Sequence, residues 1–524
     1  MNVTALSNLI LDNFRIRENH IPTYVDVGGN LARFSSAQHQ VLFGRRGSGK
    51  SSLLVHSLQQ AKLDKEFFAT YIGSDETKRL GFPDVLVWLV LNVLKGLPGA
   101  KRKIWNFWPT ELHRHISELT KLLEDPETSQ VSSTNQETSS SNQSVDIQKG
   151  PGKAGLGSSR EKTRSSTQTY TGTKLVWLER HLNDFKEVIK TATPDESLRG
   201  IILIDDFYLI RRDLQPEVID YIHRLLRGTN LYIKIATIRH RTTLRKFESQ
   251  TIGVELSQDV EEISLDKTFE DFEGTHRFLH SILEKISKEI DANMEVSALF
   301  NSGAPRALTL ASGGVPRDFL NIFVEAVRLS VRDNKLDRLT PTYIYKAAST
   351  LSYQSKKANI KEEAGFDSDK LERLFSDLVL FCLKEKRKTV FLVKHEDVHN
   401  YSEAYELLQQ LMDFKLIHIV ASDTSAASGR GGRFAAYVLD CSIFMDPRRR
   451  NVEIVEFWKI DGQRRQVGVR KSPDYPLERA AAVISGSIKT EAIENVLETI
   501  ETDENQALPD TNDDVNAVSR ANTL

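Results

Sequence analysis

The sequence predicts an α/β fold: a parallel-sheet core, then a helical domain, then a smaller unit that mixes helices with a hairpin. Three observations carry that expectation. The apolar run Val41-Leu42-Phe43 stops at a glycine-rich turn and gives way to a helical pattern. A second apolar run, Ile201-Ile202-Leu203-Ile204, stops at two aspartates. The length, 524 residues, exceeds what one core can bury, so about two to four domains are expected.

Composition narrows the class. Hydrophobic residues at 40% and charged residues at 27% describe a water-soluble chain with some unstructured parts. A formal net charge of -2 gives the chain as a whole no attraction for nucleic acid, so any such contact must come from a local patch. Cys382 and Cys441 are the only cysteines, each inside an apolar run, which fits buried thiols in a reducing cytosol. No cysteine–histidine spacing suits a metal cage. The N-terminus carries no secretory pattern, and the longest apolar stretch, Val85 to Leu94, is too short to span a bilayer. A cytoplasmic location without membrane contact is the expectation.

In chain order, Leu6, Leu9, Ile10 and Phe14 recur at helical spacing, and Val25-Asp26-Val27-Gly28-Gly29 has turn composition. After the strand Val41 to Phe43 comes Gly44-Arg45-Arg46-Gly47-Ser48-Gly49-Lys50-Ser51, with Ser52 behind it. This is G-x-x-x-x-G-K-[ST] between a strand and a helix, the setting a phosphate loop requires. Gly44, Gly47 and Gly49 permit backbone conformations closed to residues with a Cβ, so successive N–H groups can converge on one anion. The helix behind adds its positive end. Lys50 suits the β- and γ-phosphates, and the Ser51 hydroxyl suits Mg²⁺. The alternative is a chance glycine turn at a strand–helix junction. The pattern points to a nucleoside triphosphate with Mg²⁺, bound by Gly44 through Ser52.

Phe67 to Gly73 is predicted as the second strand, with helices over Phe82 to Leu94 and Lys103 to Leu123. From Asp125 to about Thr173 the chain holds mainly Ser, Thr, Gln, Gly and Lys, too little apolar surface to offset ordering entropy. That segment is expected to be a disordered insertion. A helix resumes over Leu175 to Ile189.

Gly200 to Ile204 followed by Asp205 and Asp206 matches a Walker B strand, buried on both faces. Asp205 would hold the Mg²⁺, directly or through water. Asp206 sits where a general base orients the attacking water, or else caps the next turn. A helix over Pro216 to Arg227 leads to a buried strand, Leu231 to Ile238, that ends in Arg239-His240-Arg241. The carboxyl end of that strand lies beside the γ-phosphate, so Thr237 or Arg239 suits a sensor of ATP against ADP. Arg241, Arg245 and Lys246 follow where an arginine finger could reach a neighbouring subunit's nucleotide, or simply open a solvated basic helix. A last core strand is expected at about Ile252 to Leu256.

Phe269 to Lys357 is helical by pattern, with Phe278, Leu279, Ile282 and Leu283 on one face. Within it, Gly313-Gly314-Val315-Pro316 ends one helix and starts the next. Arg317 then falls in a first turn, where the helix dipole disfavours a cation. It is a candidate to reach back to the phosphates, or a tolerated solvated residue.

Leu371 to Lys384 (helix), Val390 to Val393 (strand), Glu403 to Phe414 (helix), then Leu416 to Val420 and Phe434 to Leu439 as a hairpin, make a smaller unit. The hairpin closes on Ser428-Gly429-Arg430-Gly431-Gly432-Arg433. Arg448-Arg449-Arg450 and Arg464-Arg465 flank an extended stretch, Val452 to Trp458, that suits phosphate backbone or an edge strand with charged flanks. The tail after about Gly486 turns acidic.

Together the glycine loop, Asp205-Asp206, the Thr-x-Arg strand end, Gly-Gly-Val-Pro-Arg and the terminal hairpin unit resemble the AAA+/STAND branch of P-loop ATPases. The layout is most like the origin-recognition-type ATPases of bacteria. That resemblance implies an α/β P-loop NTPase core with a parallel sheet of the ASCE/AAA+ type, a helical lid and a C-terminal winged-helix-like domain. It assigns Lys50, Ser51 and Asp205 to Mg-ATP, Asp206 to catalysis, Arg239 to a sensor and Arg317 to the lid sensor, and leaves Arg245 a finger candidate by position. It also makes Tyr24 to Gly29 a candidate adenine contact. Three departures are an aspartate at 206 where the family has glutamate, the long insertion, and one unplaced helix of the winged unit.

The implied domains are a lead-in at 1–38, the ATPase core at 39–260 with its insertion at 125–173, the lid at 261–360, the winged unit at 366–446, a basic extension at 447–485 and the tail at 486–524. Two functions fit. One is an ATP-driven switch that controls association with duplex DNA or assembly. The other is a signalling or scaffold ATPase whose winged unit contacts protein, with ATP holding a homo-oligomer.

Overall fold

Strands buried on both faces need largely apolar runs, and three such runs form the centre of the sheet. The computed structural model describes residues 3–13, 24–26, 29–63, 67–100, 110–124, 174–193, 199–247, 250–291, 294–333, 338–363, 367–427, 431–444, 452–460 and 466–488. They form two units. One comprises Gly28–Phe43 and Leu53–Ser264; the other comprises Met1–Val27, Gly44–Ser52 and Leu265–Leu524.

In the first unit, β1 (Gln40–Phe43), β2 (Phe67–Gly73), β3 (Arg199–Asp205), β4 (Leu231–Thr237) and β7 (Glu261–Ser264) form one sheet. Its order is β2-β3-β4-β1-β7, and every pair is parallel. The walls are helices such as Asp84–Lys95, whose apolar residues from Val85 to Leu94 are all buried, and Gln215–Leu226. β4 carries one lysine into this interior. Lys234 is held by the Ser36 and Gln38 carbonyls at 2.8 Å each and by Gln40 Oε1 at 2.6 Å.

β1 and β3 are not neighbours, because β4 lies between them. One expectation changes here. The last core strand is Glu261–Ser264 rather than Ile252 to Leu256. The alternating Ile252, Val254 and Leu256 suggested a strand, but Gly253 at φ 113° breaks it. The residues Thr251–Gly253 (β6) instead pair antiparallel with Arg245–Phe247 (β5), so Arg245 opens a strand and not a helix. β7 lies at the sheet edge and buries only Ile263, which left it no apolar signature.

In the second unit, the lid helices Phe272–Ile290, Ala304–Ala311, Pro316–Arg332 and Pro341–Glu363 are followed by Ser368–Val379, whose last turn widens into a π-helical turn. β8 (Val390–Lys394), the helix Ser402–Asp413, β9 (Ile417–Thr424) and β10 (Phe434–Leu439) complete it. The small sheet has the order β8-β10-β9 and is antiparallel. Between β8 and Ser402 stands a single 3-10 turn, His395–Asp397, where the winged unit's remaining helix was unplaced.

One apolar core runs through all of these elements, from Leu6 and Ile10 of the N-terminal helix to Phe319, Leu407 and Ile484. Val452 to Trp458 does not form a strand of a sheet. It makes one bridge, Lys388 to Glu453, and inserts Val455 and Phe457 into the core. Arg430, Arg448 to Arg450, Arg464, Arg465, the insertion 125–173 and the acidic tail from 489 onward lie outside the described residues. The first unit is thus an α/β core built on a parallel sheet, and the second is a helical domain continued by a winged-helix-like unit. No helix among the described residues is long and apolar enough to cross a membrane.

Candidate functional site

β1 passes the chain to Gly44–Gly49, and Lys50 opens the helix Lys50–Leu63. Gly47 and Gly49 hold φ at 89° and 99°, in the left-handed region that a Cβ resists. The Ser48 N–H closes the turn onto the Arg45 carbonyl at 3.1 Å. Lys50 lies along the inside of the loop, its Nζ donating to the Gly44 carbonyl at 2.7 Å and the Arg45 carbonyl at 3.2 Å. Ser48 Oγ is buried and has no hydrogen-bond partner among the described residues. A buried ammonium and an orphaned hydroxyl at a helix N-terminus fit a phosphate-bearing ligand. Ser51 and Ser52 are half-buried in the first helical turn, and Arg46 is exposed.

The lid brings Arg317 to this loop. The Arg317 N–H donates to the Gly47 carbonyl at 3.2 Å. Its Cβ would stand 2.8 Å from any Cβ added to Gly47, and Val315 Cγ1 3.2 Å from it, so position 47 also lacks room for a side chain. The Arg317 side chain itself is exposed. Its neighbour Asp318 fastens the helix start to Lys415, at 2.8 Å and 3.1 Å, which supplies the acid that a first turn favours.

Within the sheet unit, the parallel register sets Gly73, Asp205, Thr237, Phe43 and Ser264 along one carboxyl edge. The glycine loop leaves that edge from Phe43. Asp205 is buried, and both its oxygens are engaged. Tyr71 Oη donates to Oδ2 at 2.7 Å, and the Asp206 N–H donates to Oδ1 at 2.9 Å. Removal from water and then the charge of Asp205 raise the Tyr71 pKa, so the phenol stays a donor. Asp206 itself is left-handed, at φ 51° and ψ 40°. Aspartate and asparagine tolerate that region far better than longer side chains, which gives a backbone reason for aspartate rather than glutamate at this position.

The remaining candidates have partners of their own. Arg239 pairs with Glu262 of β7 and lies 4.2 Å over the ring of Phe43. The Thr237 hydroxyl is 2.5 Å from that of Thr242. Arg245 pairs with Glu255 at 3.1 Å, and Lys246 pairs with Glu217. Tyr24 lies in the other unit, where its carbonyl accepts from Lys285 at 2.7 Å.

No protein-family model and no curated protein matches the chain. Solved structures similar to it include the Orc1 protein of Aeropyrum pernix in complex with DNA, 11% identical, with 93% of this chain and 94% of that one covered and a TM-score of 0.32. Cdc6p from Pyrobaculum aerophilum is 10% identical over 94% of this chain and 98% of its own, with a TM-score of 0.31. A RuvB mutant from Thermotoga maritima is 14% identical over 39% of this chain and 57% of its own, with a TM-score of 0.21. These likenesses are remote.

Two features of the site had no sequence signal. Tyr71 looks like any strand residue until the sheet pairs Gly73 with Asp205. Arg45 occupies a variable position of the motif, yet it makes long-range contacts of its own. Its backbone N–H and its Nε both reach Asp266 Oδ1, at 2.8 Å and 3.3 Å, 221 residues away.

Proposed function

We propose that this chain is a nucleotide-driven switch that binds ATP with Mg²⁺, hydrolyses it slowly, and uses its lid and winged unit to report the nucleotide state. The observation that carries this reading is the phosphate loop itself, with buried Lys50, orphaned Ser48 Oγ and the Arg317 backbone on Gly47. Mg²⁺ would be held by Ser51 and Asp205 together with phosphate oxygens, the few-ligand arrangement that this cation favours. Mg²⁺ bound there would supply neutralisation of the phosphate charge; the chain's own part is to orient its ligands. Asp206 accepts a proton from water, and Arg317 adds positive charge near the phosphates.

Tyr71 fixes the Asp205 carboxylate as a neutral donor behind it. Removing such an outer partner usually costs about 10- to 100-fold in metal affinity. Tyr71→Phe should therefore raise the Mg²⁺ concentration needed for half-maximal nucleotide binding by about tenfold. An unchanged titration would make the Tyr71 bond purely structural.

Arg317→Ala removes an exposed side chain, so the melting temperature should stay near wild type, within about 0.5 kcal/mol of stability. ATP affinity should fall by about tenfold while ADP affinity holds, since a charge-assisted contact of ~1.4 kcal/mol is lost only with the γ-phosphate. Equal loss for both nucleotides would return Arg317 to a solvated role.

Duplex DNA is one partner this switch would control, through the arginines of the wing tip and of 448–450. A second reading has a specific observation behind it. The described cations of the wing are paired, Arg433 with Asp423 and Lys394 with Glu396 at 2.6 Å, which lowers the charge facing a phosphate backbone. That favours a scaffold ATPase whose winged unit contacts protein. ATPase rates with and without duplex DNA, read beside mass measurements in ATP and in ADP, separate the two. Salt-sensitive stimulation by DNA supports the first. A nucleotide-dependent oligomer indifferent to DNA supports the second, and no nucleotide binding at all sinks both.

A further inference from the structure

We infer that Arg45 is a positioning residue that ties the phosphate loop to the winged unit, so that nucleotide held by the loop is sensed at His418. The inference rests on the nucleotide reading above and deepens it. Arg45 is 7% exposed although it sits on a glycine loop. Its guanidinium donates to the Lys267 carbonyl at 2.9 Å and the Gly313 carbonyl at 3.2 Å, and Nη1 lies 3.3 Å from His418 Nδ1.

An arginine has no acceptor, so Nδ1 of His418 must accept and its Nε2 must carry the proton. That proton goes to Asp440 Oδ2 at 2.8 Å. Burial first, opposed by Asp440, pulls the His418 pKa down to about 4, which keeps this neutral tautomer near neutral pH. Asp440 is fully buried, and its Oδ2 also meets Lys356 Nζ at 2.7 Å, while Oδ1 takes the Ser442 N–H at 3.1 Å. A continuous polar line thus runs from the loop through β9 to the chain after β10 and to the long lid helix Pro341–Glu363.

Arg45, His418 and Asp440 are each desolvated, and breaking a bond between them would leave a buried donor or acceptor unmatched. There is no slack in the packing either, since a Cβ on Gly313 would lie 2.1 Å from His418 Cε1. The Lys50 ammonium already grips the Arg45 carbonyl at 3.2 Å. A phosphate that draws Nζ toward itself draws it off Arg45, and the guanidinium end of the same residue bears on His418. Neither a solvated arginine nor a phosphate-binding one would be built this way.

The test uses the full chain. Nucleotide affinity is measured by calorimetry with Mg-ADP and with a non-hydrolysable Mg-ATP analogue, and amide hydrogen exchange is followed over 416–420 and 438–442. In the wild type, nucleotide should slow exchange in those segments by about fivefold or more, the low end of ordinary site-to-site coupling. Arg45→Ala should weaken nucleotide binding and abolish the exchange response. His418→Leu should abolish the response, and adding Arg45→Ala to it should cost little further affinity, the non-additivity expected of groups on one network. His418→Gln, which can still accept and donate, should fold normally and recover part of the response. Wild-type binding with unchanged exchange at 416–420, or additive losses in the double variant, overturns the coupling and leaves the nucleotide reading intact. Absence of wild-type binding overturns both.

Discussion

Lys50→Ala should weaken ATP binding by about 100-fold or more, ~3 kcal/mol, the loss expected when a desolvated charge-assisted contact disappears. In the structure the Lys50 Nζ donates to the Gly44 and Arg45 carbonyls of its own loop. Alanine is also the best helix former, so the first turn of Lys50–Leu63 should persist. Circular dichroism and the melting temperature should match wild type while calorimetric titration with Mg-ATP goes flat. ATP bound by Lys50→Ala with near-wild-type affinity would mean that the loop is only a strand–helix turn.

Asp206→Asn should leave ATP affinity within about threefold of wild type and lower the hydrolysis rate by about 100-fold or more, the usual contribution of a positioned base. Asparagine suits this substitution for a backbone reason as well. The left-handed φ of 51° at position 206 is one that asparagine accepts, so the loss cannot be attributed to a displaced turn. The Asp205 Oδ1 contact to the backbone N–H of residue 206 at 2.9 Å survives the change. Single-turnover hydrolysis with saturating Mg-ATP is the measurement. Normal turnover by Asp206→Asn would reduce Asp206 to a turn residue.

Much of the fold was legible because its signals are contiguous in the chain. The runs behind β1, β3 and β4 are apolar on both faces, and a parallel strand needs nothing more to be recognised. The glycine loop was legible because each of its residue types answers a local demand, as Gly47 and Gly49 do with positive φ. The failures came where burial is one-sided or partners are distant. β7 reads Glu-Glu-Ile-Ser and pairs with β1 through its backbone, so periodicity had nothing to detect. The separation of β1 from β3 by β4 follows from crossover topology, which no single stretch encodes. Arg45 and His418 stand 373 residues apart, and their contact exists only once the lid and β9 have folded around the loop.

Phe319 of the lid, Leu407 of the winged unit and Phe457 beyond it belong to one apolar mass. This half of the protein is therefore not modular. Severing the chain between the helices Pro341–Glu363 and Ser368–Val379 would strip cover from both fragments, and bared apolar faces of that size invite aggregation. Any chimera that borrows the winged unit must carry the lid helices with it as a single cassette, and drift in either one is constrained by the other.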